Sequence, residues 1–134
     1  MAHLNHMYRI TGWTSAALIM LATGVVATEP ALTISFSNER LEFGPGDIVE
    51  AMPVFDQNNR PVVAFRMSAE KARAFGAMTA NHIGEKVDLI VCGRIVSSPV
   101  IQTPILSGSG MVSGGLTSGE TKKMAVQLQN GACD

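Results

Sequence analysis

Residues 61–72 read PVVAFRMSAEKA, a stretch that joins a strand pattern directly to the start of a helix. Val63, Phe65 and Met67 stand at alternate positions, so they would share one face of a strand. Ser68 is a favourable N-cap, because its hydroxyl can accept a hydrogen bond from a free N–H of the first helical turn. The stretch therefore predicts a strand over 61–67 that runs straight into a helix over 69–81.

On both sides of this stretch, apolar runs are separated by polar or glycine-containing turns. These runs predict further strands over residues 31–37, 48–55, 87–92, 95–98 and 111–113. The charged and glycine-containing segment over 38–47 predicts a reversing turn. Pro99 and Pro104 favour an extended edge over 100–106.

A second helix closes the chain. Thr117 and Glu120 have the spacing of a capping box, and Asn130 with Gly131 gives a stop signal. The order of elements predicts an α+β fold in which two helices cover one face of a mostly antiparallel sheet.

The composition fits one compact domain. The chain has 134 residues, of which 46% are hydrophobic, 16% charged and 5% aromatic, enough for a single core. Its formal net charge is −1, so it has no basic field that would attract a phosphate backbone, and we expect no nucleic-acid partner. The balance of charged and apolar residues argues against a disordered chain.

The segment over 1–27 has the pattern of an export signal. Residues 10–27 contain no charged side chain, and Arg9 stands just before them. Val25 and Ala27 are small residues at the positions that a signal peptidase reads, so cleavage would fall after Ala27. An uncleaved membrane anchor is the alternative, because about 18 apolar residues just suffice to cross a bilayer. In either case residues 28–134 are expected to form a single exported domain.

The exported part lacks the residues of familiar catalytic sites. Residues 110–117 have the glycine spacing of a phosphate-binding loop, but Leu116 replaces the essential lysine. His82 is the one histidine after residue 27, so a catalytic triad or a multi-histidine metal site has no spare candidates. We therefore expect no enzyme, no metal and no cofactor, and we expect His82 at a helix end on the surface.

Both cysteines, Cys92 and Cys133, fall in the exported part, where an oxidising compartment permits a disulfide. Such a bridge would be worth about 4 kcal/mol in the chain-entropy model. Two separate thiols are the alternative, because the sequence alone does not place the two Cα atoms within bonding distance.

Four pieces of the chain, taken in order, resemble the glycine-rich periplasmic head domain of SecD in the SecDF protein-export family. They are PVVAFRMSAEKA (61–72), NHIGEK (81–86), GRIVSSPVI (93–101) and SGGLTSGE (113–120). The resemblance covers residues 54–131 and implies the same α+β fold. It also implies a head that projects outside the membrane and engages translocating preprotein. The proton-linked work of that family belongs to a separate transmembrane bundle, so only a binding or scaffold role is carried over.

Two departures from the family pattern are both cysteines. Cys92 stands where the family usually has Asp, and Cys133 stands where it has Leu. Paired changes to the same oxidisable residue favour a disulfide that replaces support lost with the membrane domain.

The resemblance implies that the partner is extended or unfolded polypeptide, or an envelope or translocon protein. We expect binding at the 100–106 edge, which would accept an added strand, and at the glycine loop beside it. The candidate residues are Val100, Ile101, Gln102, Ile105, Gly108, Gly110, Gly114 and Gly115. The domain would be periplasmic, or anchored in the inner membrane facing the periplasm, with membrane contact only through an uncleaved N-terminal segment.

Two other functions remain open at this point. One is a small-ligand or anion-binding domain that uses the Gly114-Gly115 turn and the start of the last helix. The other is a purely structural envelope protein. A concave pocket at that helix start would favour ligand binding, whereas a grooved apolar surface would favour polypeptide.

Overall fold

The computed structural model describes residue 19, residues 21–24 and residues 28–133. The predicted signal or anchor over 1–27 falls largely outside them. The described part contains seven strands and two helices. In chain order these are β1 (Leu32–Ser35), β2 (Arg40–Phe43), β3 (Ile48–Phe55), β4 (Pro61–Met67), α1 (Ala69–Asn81), β5 (Asp88–Val91), β6 (Arg94–Ser97), β7 (Ser109–Val112) and α2 (Ser118–Asn130).

The strands form two antiparallel sheets. A four-stranded sheet has the order β2-β1-β5-β6, and a three-stranded sheet has the order β3-β4-β7. The α+β class with antiparallel strands is confirmed. The strands are divided between two sheets rather than joined in one, because β4 pairs with β3 and β7 whereas β5 pairs with β1 and β6.

Both sheets contribute to one apolar core. Val63, Phe65 and Met67 are buried on the same face of β4, as their spacing predicts. Helix α2 packs against β3 and β4, and α1 adds Phe75 to the core. Burial of side chains of this size is worth about 1.5 to 3 kcal/mol each, so this core is the main source of stability.

The helix ends follow the signals in the sequence. Ser68 Oγ accepts a hydrogen bond from the Lys71 N–H at 3.3 Å at the start of α1. At the start of α2, Thr117 Oγ1 accepts from the Glu120 N–H at 3.2 Å, and the Glu120 carboxylate accepts from the Thr117 N–H at 2.7 Å. The predicted capping box is thus confirmed. Gly131 ends α2 with a left-handed φ of 66°.

The two cysteines meet through a tight turn. Cys92 and Gly93 join β5 to β6, and both have positive φ, 47° and 78°, as in the hairpin turns that match strand twist. The turn brings Cys92 to Cys133, and the two form a disulfide with their Cα atoms 5.5 Å apart. The predicted disulfide is confirmed, and it ties the chain beyond α2 to the four-stranded sheet.

One strand lies where the sequence predicted only a turn. Residues 38–47 contain β2, in which Leu41 and Phe43 are buried while Arg40 and Glu42 are exposed. This alternation is the signature of a strand, but the charges and the nearby glycines mask it in the sequence.

The segment over 100–106 forms no strand, and its first residues do not offer the free edge that the sequence predicts. Val100 makes one isolated bridge with Lys86. The carbonyl of Ile101 accepts from the Gly84 N–H at 2.6 Å, and the Ile101 N–H donates to the Glu85 carbonyl at 2.9 Å. The backbone at Val100 and Ile101 is therefore already paired with the turn that follows α1.

Candidate functional site

The three-stranded sheet has one covered face and one open face. Val63, Phe65 and Met67 of β4 point into the core, whereas Ala64 is half-buried and Arg66 is exposed on the other side. Helix α2 packs against this sheet. Side chains of a strand alternate between faces, so the residues opposite the core are left without cover from Ala64 onwards, whereas Val62 on the same face is buried.

A row of apolar side chains crosses the open face. Met52 of β3 pairs with Ala64 of β4, and Ala64 pairs with Met111 of β7. Met52 is 43% exposed and Met111 is 59% exposed. The groove along this row has a volume of about 450 Å³. An ion pair borders it, with Arg66 Nη2 lying 3.2 Å from Glu50 Oε2.

The chemistry of this groove is mostly apolar. Methionine side chains are unbranched and polarizable, so they adapt to partners of different shape. Ligand sites for one rigid molecule usually combine an enclosed cavity with a few fixed polar groups. The groove is instead an open surface with a single ion pair at its border, which suits an apolar segment of variable sequence.

The predicted binding residues on the 100–106 segment lie apart from this groove. Val100 and Gln102 are exposed, and Ile101 is buried in the core. Ile105 is partly buried, and its N–H donates to Thr79 Oγ1 of α1 at 2.9 Å. None of these four residues lines the groove.

The predicted glycines fall in two places. Gly108 directly precedes β7 and Gly110 lies within it, and Gly110 lines the groove. Gly110 pairs with Phe65, whose ring fills the space that a side chain at Gly110 would need. Gly114 and Gly115 follow β7 and line a separate, smaller pocket. The structure therefore brings Gly110 to the groove but leaves Gly114 and Gly115 outside it.

The pocket at Gly114 and Gly115 lies between the β3–β4 turn and the start of α2. Its volume is about 340 Å³, and Arg60 lies at its edge. Arg60 Nε is 2.9 Å from the Asp56 carboxylate. At the helix start, Glu120 already places a carboxylate on the free N–H of Thr117. Arg60 and the N-terminus of α2, which could attract an anion to this pocket, are thus already paired with Asp56 and Glu120.

His82 is buried, contrary to the expectation of a surface position. It is 5% exposed, and its ring stacks on Phe36 with the ring centres 4.5 Å apart. Nδ1 lies 2.5 Å from Glu85 Oε2, and Nε2 lies 2.9 Å from Glu39 Oε2. The hydrogen bond with Glu85, followed by that with Glu39, raises the pKa of His82 above its usual 6.5. His82 therefore links the end of α1 to the β1–β2 turn.

Met52 and Met111 are the site residues that the sequence reasoning missed. Both strands were predicted, but residues 51–55 are all apolar, so no alternation in the sequence assigns Met52 to one face of β3. The missing information was the position of α2, which decides which face of the sheet is covered. That position depends on contacts between residues distant in sequence.

The described residues contain neither a membrane-spanning helix nor a cluster of metal ligands. Across residues 19, 21–24 and 28–133, no helix has the length and apolar character needed to span a bilayer. Over the same residues, no group of three or more His, Cys, Asp and Glu side chains is arranged to hold a metal ion.

Comparisons with known proteins point to one family. Residues 26–134 match the family described as SecDF, P1 head subdomain. The chain is 41% identical over 86 residues to protein translocase subunit SecD of Rhodobacter capsulatus, a match that covers 64% of this chain and 16% of that protein. It is 31% identical over 127 residues to protein translocase subunit SecD of Dictyoglomus turgidum, covering 88% of this chain and 32% of that protein.

Two solved structures share the fold. A crystal structure of SecDF in a super-membrane-facing form aligns with a TM-score of 0.61 and 32% identity, covering 64% of this chain and 12% of that chain. A structure of SecDF described as a membrane component that enhances protein export also aligns with a TM-score of 0.61 and 32% identity, covering 64% of this chain and 39% of that chain.

These matches place the chain against one part of larger proteins. It spans 16% of the length of the Rhodobacter subunit and 32% of that of the Dictyoglomus subunit. The family match extends over the whole described fold, from β1 to α2. The chain therefore belongs to the SecDF P1 head family.

Proposed function

We propose that residues 28–134 form an exported, periplasmic domain that binds extended or unfolded polypeptide during protein export, without catalysing a reaction. The observation that carries this proposal is the row of Met52, Ala64 and Met111 along a groove of about 450 Å³. The Cys92–Cys133 disulfide supports the oxidising compartment, because such bonds persist outside the cytosol.

The physical basis is the burial of apolar surface. An unfolded segment exposes apolar side chains to water, and each Å² removed from water is worth about 25 cal/mol. Met52 and Met111 can rearrange to fit different side chains. Binding of this kind is weak and unselective, which suits contact with many different polypeptides in transit.

The relatives support a place in protein export. They are named as protein translocase subunits, and one solved relative is described as a membrane component that enhances protein export. By this likeness, the partner is a translocating polypeptide or a protein of the translocon. Residues 1–27 would either be removed on export or tether the domain to the inner membrane.

The anion-binding alternative has less support. The pocket beside Gly114 and Gly115 is smaller, and its Arg60 is paired with Asp56. Glu120 occupies the N-terminus of α2, where an anion would otherwise be attracted. A purely structural role leaves two exposed methionines on one face without an explanation.

A binding experiment tests the proposal. The full chain is titrated with a reduced and alkylated, permanently unfolded protein, and its affinity is compared with that of the double variant Met52→Ser, Met111→Ser. Loss of two buried apolar contacts of about 1 kcal/mol each predicts a loss of affinity of tenfold or more. The control is Val126→Ser, since Val126 is 57% exposed on α2, on the other side of the sheet.

A second experiment tests in the cell whether a preprotein contacts the groove. A photo-crosslinking residue at Met111 is expected to capture a stalled preprotein, whereas the same residue at Val126 is not. Equal binding by the double variant and the wild type, together with equal crosslinking at both positions, would show that the groove is not the binding surface.

A further inference from the structure

The two sheets together have four edge strands, and an unpaired edge is a template for another strand. The edges are β2 and β6 in the four-stranded sheet, and β3 and β7 in the three-stranded sheet. Their outward backbone groups differ in how far the protein itself has already satisfied them. At the edge of β7, the free backbone groups also lie beside the groove.

The edge of β3 is closed by a side chain of α2. Gln129 Oε1 accepts a hydrogen bond from the Ala51 N–H at 2.8 Å, and Gln129 Nε2 donates to the Val49 carbonyl at 3.3 Å. The amide of Gln129 therefore takes the place of a neighbouring strand. Pro53 is the next residue that faces outward on β3, and it has no N–H to offer.

Each edge of the four-stranded sheet is occupied at one point. Lys71 Nζ donates to the Glu42 carbonyl at 2.7 Å, which satisfies one of the outward carbonyls of β2. At β6, the Val96 carbonyl lies so close to Gly114 that a side chain on Gly114 would clash with it. The loop that contains Gly114 thus lies over this edge.

The edge of β7 is different. The Met67 N–H donates to the Gly108 carbonyl at 2.8 Å, which fixes the alternation along this ladder. Gly110 and Val112 accordingly face β4, whereas Ser109 and Met111 face away from it. The Ser109 N–H donates to Ser107 Oγ at 3.3 Å. Within the described part of the chain, the N–H and the carbonyl of Met111 have no hydrogen-bond partner.

The side chain of the same residue lies in the groove. Met111 is on the open face beside Ala64, and its backbone groups lie at the edge of that face. A strand added along β7 would hydrogen-bond to Met111 and place alternate side chains on the open face next to the methionine row. One extended ligand can therefore use the edge and the groove at the same time.

We propose that the partner polypeptide binds by adding a strand to the edge of β7, through the unpaired backbone N–H and carbonyl of Met111. This inference rests on the proposed polypeptide binding and specifies the form of the ligand: an extended segment with an apolar residue at alternate positions and free amides between them. Backbone hydrogen bonds supply affinity that does not depend on sequence. A helical segment is not a ligand of this kind, because its backbone amides are already hydrogen-bonded within the helix.

The test separates the backbone of Met111 from its side chain. Met111→Ala and Met111→Pro both remove the methionine, but only the proline removes the N–H. Proline is tolerated at an edge position whose N–H faces solvent. With a soluble peptide that alternates valine and threonine between terminal lysines, we expect Met111→Pro to bind at least about fivefold more weakly than Met111→Ala, as loss of one backbone hydrogen bond predicts.

A second measurement leaves the protein unchanged, so it does not depend on how the proline variant folds. The same peptide is N-methylated at alternate amides, in two versions that block one edge of the peptide or the other. Strand addition predicts that one version binds like the parent and the other loses binding. Equal binding by both versions, or equal binding by the alanine and proline variants, would overturn strand addition while leaving groove binding intact. No binding of the parent peptide or of unfolded protein to the wild type would instead overturn the proposed function.

Discussion

His82 Nε2 lies 2.9 Å from Glu39 Oε2, and this contact joins the end of α1 to the turn between β1 and β2. The other ring nitrogen is hydrogen-bonded to Glu85. A protonated imidazole donates from both nitrogens, so both contacts are satisfied only when His82 carries a charge.

This arrangement predicts a pH dependence of stability. The hydrogen bonds to Glu85 and Glu39 raise the pKa of His82 above 6.5, so the folded domain holds the proton more tightly than the unfolded chain. The stabilisation is complete below 6.5 and is lost as the pH rises through the higher pKa of the folded state. We expect the difference in melting temperature between wild type and His82→Gln to be larger at about pH 6 than at about pH 9. A difference that is constant over this range would contradict the assignment.

The disulfide is expected to contribute strongly to stability. Cys92 and Cys133 are separated by 41 residues, and closure of a loop of this size is worth about 4 kcal/mol in the chain-entropy model. Urea unfolding with and without reductant measures this difference. The variant Cys92→Ser, Cys133→Ser should unfold like the reduced wild type and should not respond to reductant. A free energy of unfolding that is insensitive to both changes would show that the bridge does not constrain the unfolded chain.

Gly114 is expected to tolerate no side chain. A Cβ at this position would clash with the Val96 carbonyl, which is backbone and cannot swing away, whereas a Cβ on Gly44 would meet only the Asp47 carboxylate at ordinary contact distance. Gly114→Ala should therefore lower the free energy of unfolding by about 1 to 3 kcal/mol more than Gly44→Ala. Equal values for the two variants would mean that the loop moves freely away from β6.

Gln129 is expected to protect the edge of β3 from other strands. Gln129→Ala leaves the Ala51 N–H and the Val49 carbonyl without their partner, at a cost of about 1 kcal/mol. The Ala51 amide should then exchange with solvent faster, and the protein should self-associate at higher concentration because a longer edge is exposed. Gln129→Glu keeps an acceptor and loses the donor to Val49, so it separates the two hydrogen bonds. An unchanged exchange rate at Ala51 in Gln129→Ala would argue against this protective role.

The sequence was most informative where local signals agree. Strands β3 and β4 and helix α1 have the predicted bounds, because apolar runs bounded by turn residues and the N-cap at Ser68 are signals that act over short distances. Strand β2 was missed although Leu41 and Phe43 alternate with charged residues, since the turn signals on both sides outweighed a pattern of only four residues.

The misplaced features all depend on contacts between distant parts of the chain. His82 is buried because Phe36 packs on its ring and Glu39 reaches its Nε2, and neither is near it in sequence. The hydrogen bond by which Gln129 occupies the edge of β3 joins it to Ala51, 78 residues away in sequence. The candidate groove was missed for the same reason, because only the packing of α2 determines which face of β3 and β4 is open.

The Cys92–Cys133 bond also determines how the domain would respond to a pulling force. Tension that enters the backbone before β1 and leaves after Cys133 passes directly across the sulfur atoms, so the backbone of the loop that contains β6, β7 and α2 carries none of it. Strands β3 and β4, which carry Met52 and Ala64, lie on the loaded path, whereas Met111 does not. The ladder between β4 and β7 therefore joins a loaded strand to an unloaded one, and we expect the two sides of the groove to separate there when the domain is stretched.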